Sequence, residues 1–502
     1  MIRTLRAEWT KFRTVRGWMI GMVVAALLTV GIGAFSASGN HASCSAGPVE
    51  VPCPTPPIGP EGQAVTDHFY FVHRQLAGDG TITARVNSMT GKIRKPDVKP
   101  GARNEVAGLT PWAKAGVMIK QSARPGSAYA AVMVTAQHGV RMQHNFTHDV
   151  AGRPGGVARW LRMTRAGDTI TGFESADGAN WTKVDTVRLA ELPQTVEIGL
   201  FAASPGEITV TQGDIGGTIT AGRFAEATAV FDQVGIQGRV PGGQWRHDDV
   251  GASVNGDGSV HHPGRAAESG GTFSVTGVGD IGPADDGRTV ESTFTGLPAG
   301  LIVVIVVAVV FVTAEYRRGL IRTSLLSVPR RGRMLAAKAL VIAAVTFVAG
   351  LAATAGSAVL GTRILRANGN YVLPVSMLTE VRVVAGVAAF LALVAVFVLA
   401  LGALFRRSAV AVTLGLVAIV VPHLLATSSV FPLTVSQWLL RVTPAAGFAI
   451  QQSIPEYPQV LGYYSPQGGY YPLAPWAGLV VLGAFAALAL GLAVYRLNRR
   501  DA

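Results

Sequence analysis

Several things are missing from this sequence. No G-x-x-x-x-G-K-[ST] stretch occurs anywhere, so the chain carries no phosphate loop of its own. No closely spaced acidic motif lies on a strand-like run, and glycoside hydrolysis needs two carboxylates facing across a cleft. Cysteine is nearly absent: Cys44 and Cys53 are the only two, so a metal held by them would find no further thiolate. Charge is scarce at 15% of residues, apolar residues reach 49%, and mean hydropathy is +0.36, which excludes an ordinary soluble protein.

The apolar residues crowd into six runs, about 17–36, 296–314, 335–361, 382–404, 408–427 and 474–495. Each approaches or exceeds the roughly 20 residues that cross a bilayer as a helix. Between the first and second lies a polar stretch of about 260 residues with strand-like alternation. The expected class is a six-span α-helical membrane protein, with a large extracytoplasmic antiparallel β-sandwich, jelly-roll-like, inserted between spans one and two.

The net charge of +13 invites a nucleic-acid reading, but the charges are segregated. The N-terminal segment and residues 315–338, 405–407 and 496–502 hold 17 Lys and Arg against three acids. The rest of the chain holds 26 against 27. Lys and Arg concentrate on the cytoplasmic side of short loops, so the basicity reports topology. It places both termini in the cytoplasm of a multi-pass plasma-membrane protein, and residues 37–295 outside. The nearly neutral insert has no electrostatic footprint for nucleic acid.

The expected domains are 1–36, an interfacial helix and the first span; 37–64, a Pro-rich linker with the cysteine pair; 65–237, the β-sandwich; 238–295, a smaller β appendage; and 296–502, a five-span membrane domain. Ile2, Leu5, Trp9 and Phe12 recur at helical spacing among Arg3, Arg6, Lys11 and Arg13, as in an amphipathic helix lying on a bilayer. A basic start, an apolar run and "AFSASG" also resemble a secretory signal, but the run is longer than a usual signal core. Outside the membrane, Cys44 and Cys53 are free to pair as a disulfide. The outside loop 428–473 contains "VSQWLLRVTPAAGFAIQQS", which can form short helices at the surface or dip partly back into the bilayer.

Runs such as "GTITARVNS", "AGVMIKQ", "YAAVMVTA", "RWLRMTRAG" and "TVEIGLFAA" alternate with period two. In "ESADGANWTKV", Asp177-Gly178 is a hairpin signal, and Glu174 and Asp177 read as turn residues.

The stretch "TAEYRRGLIRTSLLSVPRRGRMLAAK" begins with a lone Glu315 and carries a short helix with one apolar face between Gly319 and Pro329. The arginines alone fit a positive-inside loop, with Arg330, Arg331 and Arg333 placed to anchor on anionic lipid. A bracketed helix with an apolar face also fits a docking element. Glu315 has Arg318 and Arg322 in the next turn as candidate partners. The stretch resembles the segment after the second span in permease subunits of type-two ABC exporters. "LRAEWTKFRTVRGW" resembles the interfacial helix that opens the same subunits. The resemblance covers 1–40 and 296–502. It implies half of a transmembrane pathway, a partner in a second permease copy, and ATP hydrolysis in a separate ATP-binding subunit. Carried over by position, Glu315, Tyr316, Arg317, Arg318, Gly319, Arg322 and Thr323 are the coupling residues. The chain is then not itself an enzyme and needs no cofactor.

The insert, through "TPWAKAGVMIKQSARPGSAYAAVMVTAQHGVRMQHN" and "SADGANWTKVDTV", resembles concanavalin-like lectin/glucanase sandwiches over about 65–237. That resemblance implies a glycan as a ligand class, with Trp112, Trp160 and Trp181 as stacking residues; core packing is the alternative for all three. Nine of the ten histidines lie outside, and in "HNFTH" the strand or loop spacing does not converge on a metal. Within the spans, His423 is the one polar residue that marks a pathway. The alternative to transport is a membrane-anchored glycan-binding sensor.

Overall fold

The computed structural model describes residues 2–46, 49–51, 53–95, 104–156, 159–212, 218–252, 259–284, 286–317, 331–428, 430–462 and 464–499. Among them are six helices long and apolar enough to cross a membrane. A large antiparallel β region lies between the first and second of these. We number the helices α1 (Ile2–Thr14), α2 (Arg16–Ser38), α3 (Leu297–Arg317), α4 (Arg331–Ala367), α5 (Met377–Phe405), α6 (Ser408–Thr427), α7 (Leu433–Val442) and α8 (Pro475–Arg499).

The helices are set by composition, since each apolar run satisfies its own backbone. Their neighbours are set by small residues. α2 packs on α3 and α4, and α5 is central, touching α3, α4, α6 and α8. At Gly33, Gly296 and Gly300 an added Cβ would collide with Thr29 or with the Thr293 carbonyl. Backbones approach closely there, as small residues allow between apolar helices. α6 is not regular. Residues 416–420 form a π turn immediately before Val421 and Pro422, where proline removes a backbone donor in mid-helix. After α7, a 3-10 helix at Pro444–Gln451 is buried throughout and packs on α5 and α8, so this part of the 428–473 loop enters the bundle.

In the β region every ladder between named strands is antiparallel. Strand Phe69–Lys95 is the organiser. Residues 70–77 pair with Thr195–Ala203, residues 80–86 pair with Arg159–Ala166, and much of the strand pairs with Ala225–Arg239. It changes partner at Gly78, where φ is +78°, a conformation glycine adopts without cost. Its two halves lie on opposite sides of one core. Val72, Val117, Val132 and Leu200 face Ile82, Leu161, Ile170, Ala229 and Phe231. Strands Lys114–Lys120 and Tyr129–Thr135 are buried at every position, because their other face also carries a core. That second core holds Phe69, Phe71, Met118, Tyr129 and Phe201 under Val65, Phe146, Val250 and Ile281. Lys120 bonds Asp67 at 2.7 Å and Lys114 bonds Asp280 at 2.5 Å, fastening the cover to the sheet.

The division at 237/238 does not follow the pairing. Strands Arg246–Val250 and Thr272–Gly277 join the same sheet, and Ile281–Pro283 pairs with Val65–Asp67. The 238–284 stretch supplies edge strands and cover for the cores and does not stand apart. Cys44 and Cys53 are joined as a disulfide, with Cα atoms 5.0 Å apart.

Candidate functional site: a buried charge cluster beside the basic segment

The bundle has one end toward the β region, where α2 ends and α3 begins, and a distal end, where α3 ends and α4 begins. At the distal end four charged side chains meet. The amphipathic pattern of α1 puts Leu5, Glu8 and Phe12 on one face, three and four residues apart. Phe12 docks edge-on against Phe311 of α3, with centroids 5.4 Å apart, and Trp18 does the same at 5.0 Å. This aromatic contact seats α1 so that Glu8 is buried. Lys338, two turns into α4, is fully buried and reaches back to both acids. Its Nζ donates to Glu8 Oε2 at 2.6 Å and to Glu315 Oε1 at 2.7 Å. Lys11 closes the ring, donating at 3.0 Å to Glu8 Oε1 and at 3.0 Å to Glu315 Oε1.

The cluster is neutral overall, with two acids against two amines. The Lys338 ammonium also lies 4.9 Å from the Phe311 ring centroid, a further stabilising contact for a desolvated cation. Lys11 is the solvent-facing member, its side chain 40% exposed. Glu315 Oε2 is buried with no partner among the described residues. Charge-assisted bonds of this length are strong, and a buried pair that loses one member leaves an uncompensated charge. The cluster therefore locks α1, α3 and α4 together on either side of residues 318–330.

Of the residues carried over by position, Glu315 and Tyr316 lie on the last turn of α3, and Tyr316 has Arg406 at 5.3 Å over its ring. Arg317 closes that helix. Arg318, Gly319, Arg322, Thr323 and Arg330 lie outside the described residues. The carboxylate of Glu315 finds its cations on α1 and α4, where the sequence offered Arg318 and Arg322. Arg331 donates at 2.8 Å to the Leu497 carbonyl at the end of α8, satisfying a helix-terminal acceptor. Sequence reasoning missed Glu8, Lys11 and Lys338. The available signal was a carboxylate on the apolar face of α1, and a lysine inside the first apolar turns of α4.

The three tryptophans do not form one site. Trp112 is buried, stacked on His138 with centroids 4.0 Å apart. Trp160 and Trp181 are half-buried. The indole of Trp160 lies against Gly178 with the Arg85 guanidinium 5.8 Å away, and Arg162 sits 3.8 Å over Trp181. Residues 160 and 162 are two apart on a strand, so both indoles adjoin one face of the sheet. Arg85 on that face is held by Asp232 through two bonds of 2.6 and 2.5 Å. Asp177 caps its own turn through Ala179 and Asn180, which holds its carboxyl well below the usual carboxylate range. Glu174 is buried and accepts from the Arg153 amide at 2.6 Å. Both are structural carboxylates. His144 and His148 face each other across a hairpin, stacked at 4.4 Å, and no group of three metal-binding side chains occurs among the described residues.

No family model matches the chain, and no curated protein does. Among solved structures, a functionally unknown protein from Saccharomyces cerevisiae aligns with 12% identity and a TM-score of 0.21, over 35% of this chain and 76% of that one. SCP-B, an Eqolisin-family peptidase in complex with the tripeptide Ala-Ile-His, aligns with 8% identity and a TM-score of 0.23, over 42% of this chain and 98% of that one. Similarity at that level carries no argument about fold or function.

Proposed function

We propose that the chain is the membrane-spanning permease subunit of an ATP-driven ABC exporter, with the distal end of the bundle in the cytoplasm and the β region outside. The observation that carries the reading is the neutral cluster of Glu8, Lys11, Glu315 and Lys338, which clasps both flanks of the basic 318–330 segment. A partner docking on that segment acts on α3 and α4 together, and through Glu8 and Lys11 on α1. An ATP-binding subunit supplies the hydrolysis, and a second permease copy completes the pathway. The β region, lectin-like in this reading, recognises or gates ligand, with Trp160 and Trp181 bordering a face suited to a glycan.

The test is affinity purification of the full chain from native membranes, followed by reconstitution in vesicles. A nucleotide-hydrolysing subunit is expected to co-purify with the wild type. Arg318→Ala with Arg322→Ala is expected to weaken its retention. Glu315→Ala is expected to keep the partner and lose most of the coupling between transport and hydrolysis. A chain that co-purifies with no ATPase would overturn the proposal.

A further inference from the structure

At the end of the bundle toward the β region, a cavity of about 580 Å³ lies between the start of α3, the last turns of α6, the 444–451 helix and the 462–471 loop. That volume is within the usual range for an organic ligand. Phe294, Leu297, Leu424 and Phe448 give it apolar walls, and Tyr464 and Tyr470 line the side formed by the loop. Two polar side chains in its lining are more than nine-tenths buried and incompletely bonded. Glu291 is 9% exposed; its Oε1 accepts from the Ser453 amide at 3.1 Å, and its Oε2 has no partner. His423 is 8% exposed and stacked on Phe448 with centroids 3.7 Å apart, and its Nδ1 has no partner. A buried polar atom left unbonded is costly, and two on residues that line one cavity point to a missing ligand group.

Among the described residues, Glu291 is the only acid in the lining. Arg288, which also lines the cavity, donates to Asn40 Oδ1 at 2.8 Å, and Arg382 donates to the Gln452 carbonyl at 2.8 Å. With Glu291 ionised and His423 carrying its proton on Nε2, both unbonded atoms are acceptors, and a donor group satisfies both. Phenol rings beside them favour a cation. Burial pushes the Glu291 carboxyl above its usual range, against the hydrogen bonding at Ser453, and an adjacent positive charge restores the charged form.

We propose that this cavity binds an amphipathic primary ammonium compound, its N–H groups on Glu291 and His423 and its apolar body against Phe294, Leu297 and Phe448. The proposal does not depend on an ATP-binding partner, so either reading can fail alone.

The experiment uses the purified full chain in lipid nanodiscs, titrated with dansyl cadaverine, a fluorescent primary ammonium, and with its N-acetylated neutral analogue. Saturable binding of the amine is expected, at least tenfold tighter than that of the acetylated form. Glu291→Gln is expected to erase that preference, and His423→Leu to weaken amine binding several-fold. Equal binding of amine and acetylated probe to the wild type, or non-saturable uptake of both, overturns the proposal without any variant. An undiminished preference in a folded Glu291→Gln protein overturns it equally.

Discussion

Lys338 is the residue on which the distal end of the bundle depends most. Its ammonium is fully buried, holds two carboxylates and sits over Phe311. Lys338→Met replaces it with a side chain of similar shape and leaves Glu8 and Glu315 with only Lys11. Removing one partner of a buried pair costs about 3–5 kcal/mol, so a large drop in thermal unfolding temperature in detergent is expected. Adding Glu8→Gln should restore part of the loss, with a coupling of roughly 0.5–3 kcal/mol in a double-mutant cycle. Strictly additive effects would mean that the two side chains do not share an interaction. None of these partners was legible around Glu315. Lys11 is 304 positions away and Lys338 is 23 away across the segment, whereas helical spacing brings forward only the next turn. The cluster exists because α1 folds back through Phe12, and no local pattern encodes that return.

Elements were easier to read where one stretch carries its whole signal. A run of twenty apolar residues declares a helix without knowing its neighbours, and all six were legible. Most strands announced themselves by alternation. The length of Phe69–Lys95 did not, because "AGDG" at 77–80 reads as a turn, and Gly78 lets the strand continue toward a new partner. The second core was hidden too, since "AGVMIKQ" and "YAAVMVTA" read as period-two strands with one covered face, whereas both faces are buried. Pairing also crosses residue 237: the Gly-rich stretch reads as a separate small β appendage, yet 246–250 pairs with Phe69–Lys95 and 272–277 pairs with Ala225–Arg239. A consequence is that residues 57–284, expressed alone, should unfold cooperatively as a strand-rich domain. Residues 65–237 should melt well below it or not fold, because they lack Val250, Phe273, Val275 and Ile281 from the two cores. Circular dichroism during a thermal ramp separates the outcomes; equal melting would mean that the later strands add nothing.

For the whole molecule, the charge distribution and the cluster are complementary. The basic segments gather at the distal end, with Arg331 and Arg496 bonding carbonyls at helix termini there. A reporter fused near residue 150 is expected to behave as extracytoplasmic and one near residue 325 as cytoplasmic; the reverse would remove the orientation on which the proposed function rests. The β region has one further property at this scale. Near its start, strand Val65–Asp67 lies beside its last strand, Ile281–Pro283, so the two ends of the region meet side by side. Geometrically the region is a cassette on a closed bracket. Thr29 against Gly300 sets the spacing of α2 and α3 below it. Another module grafted in its place would need two ends that meet side by side in the same way, and would lose the contacts of Thr147 with Gln459 and of Ala284 with Leu373.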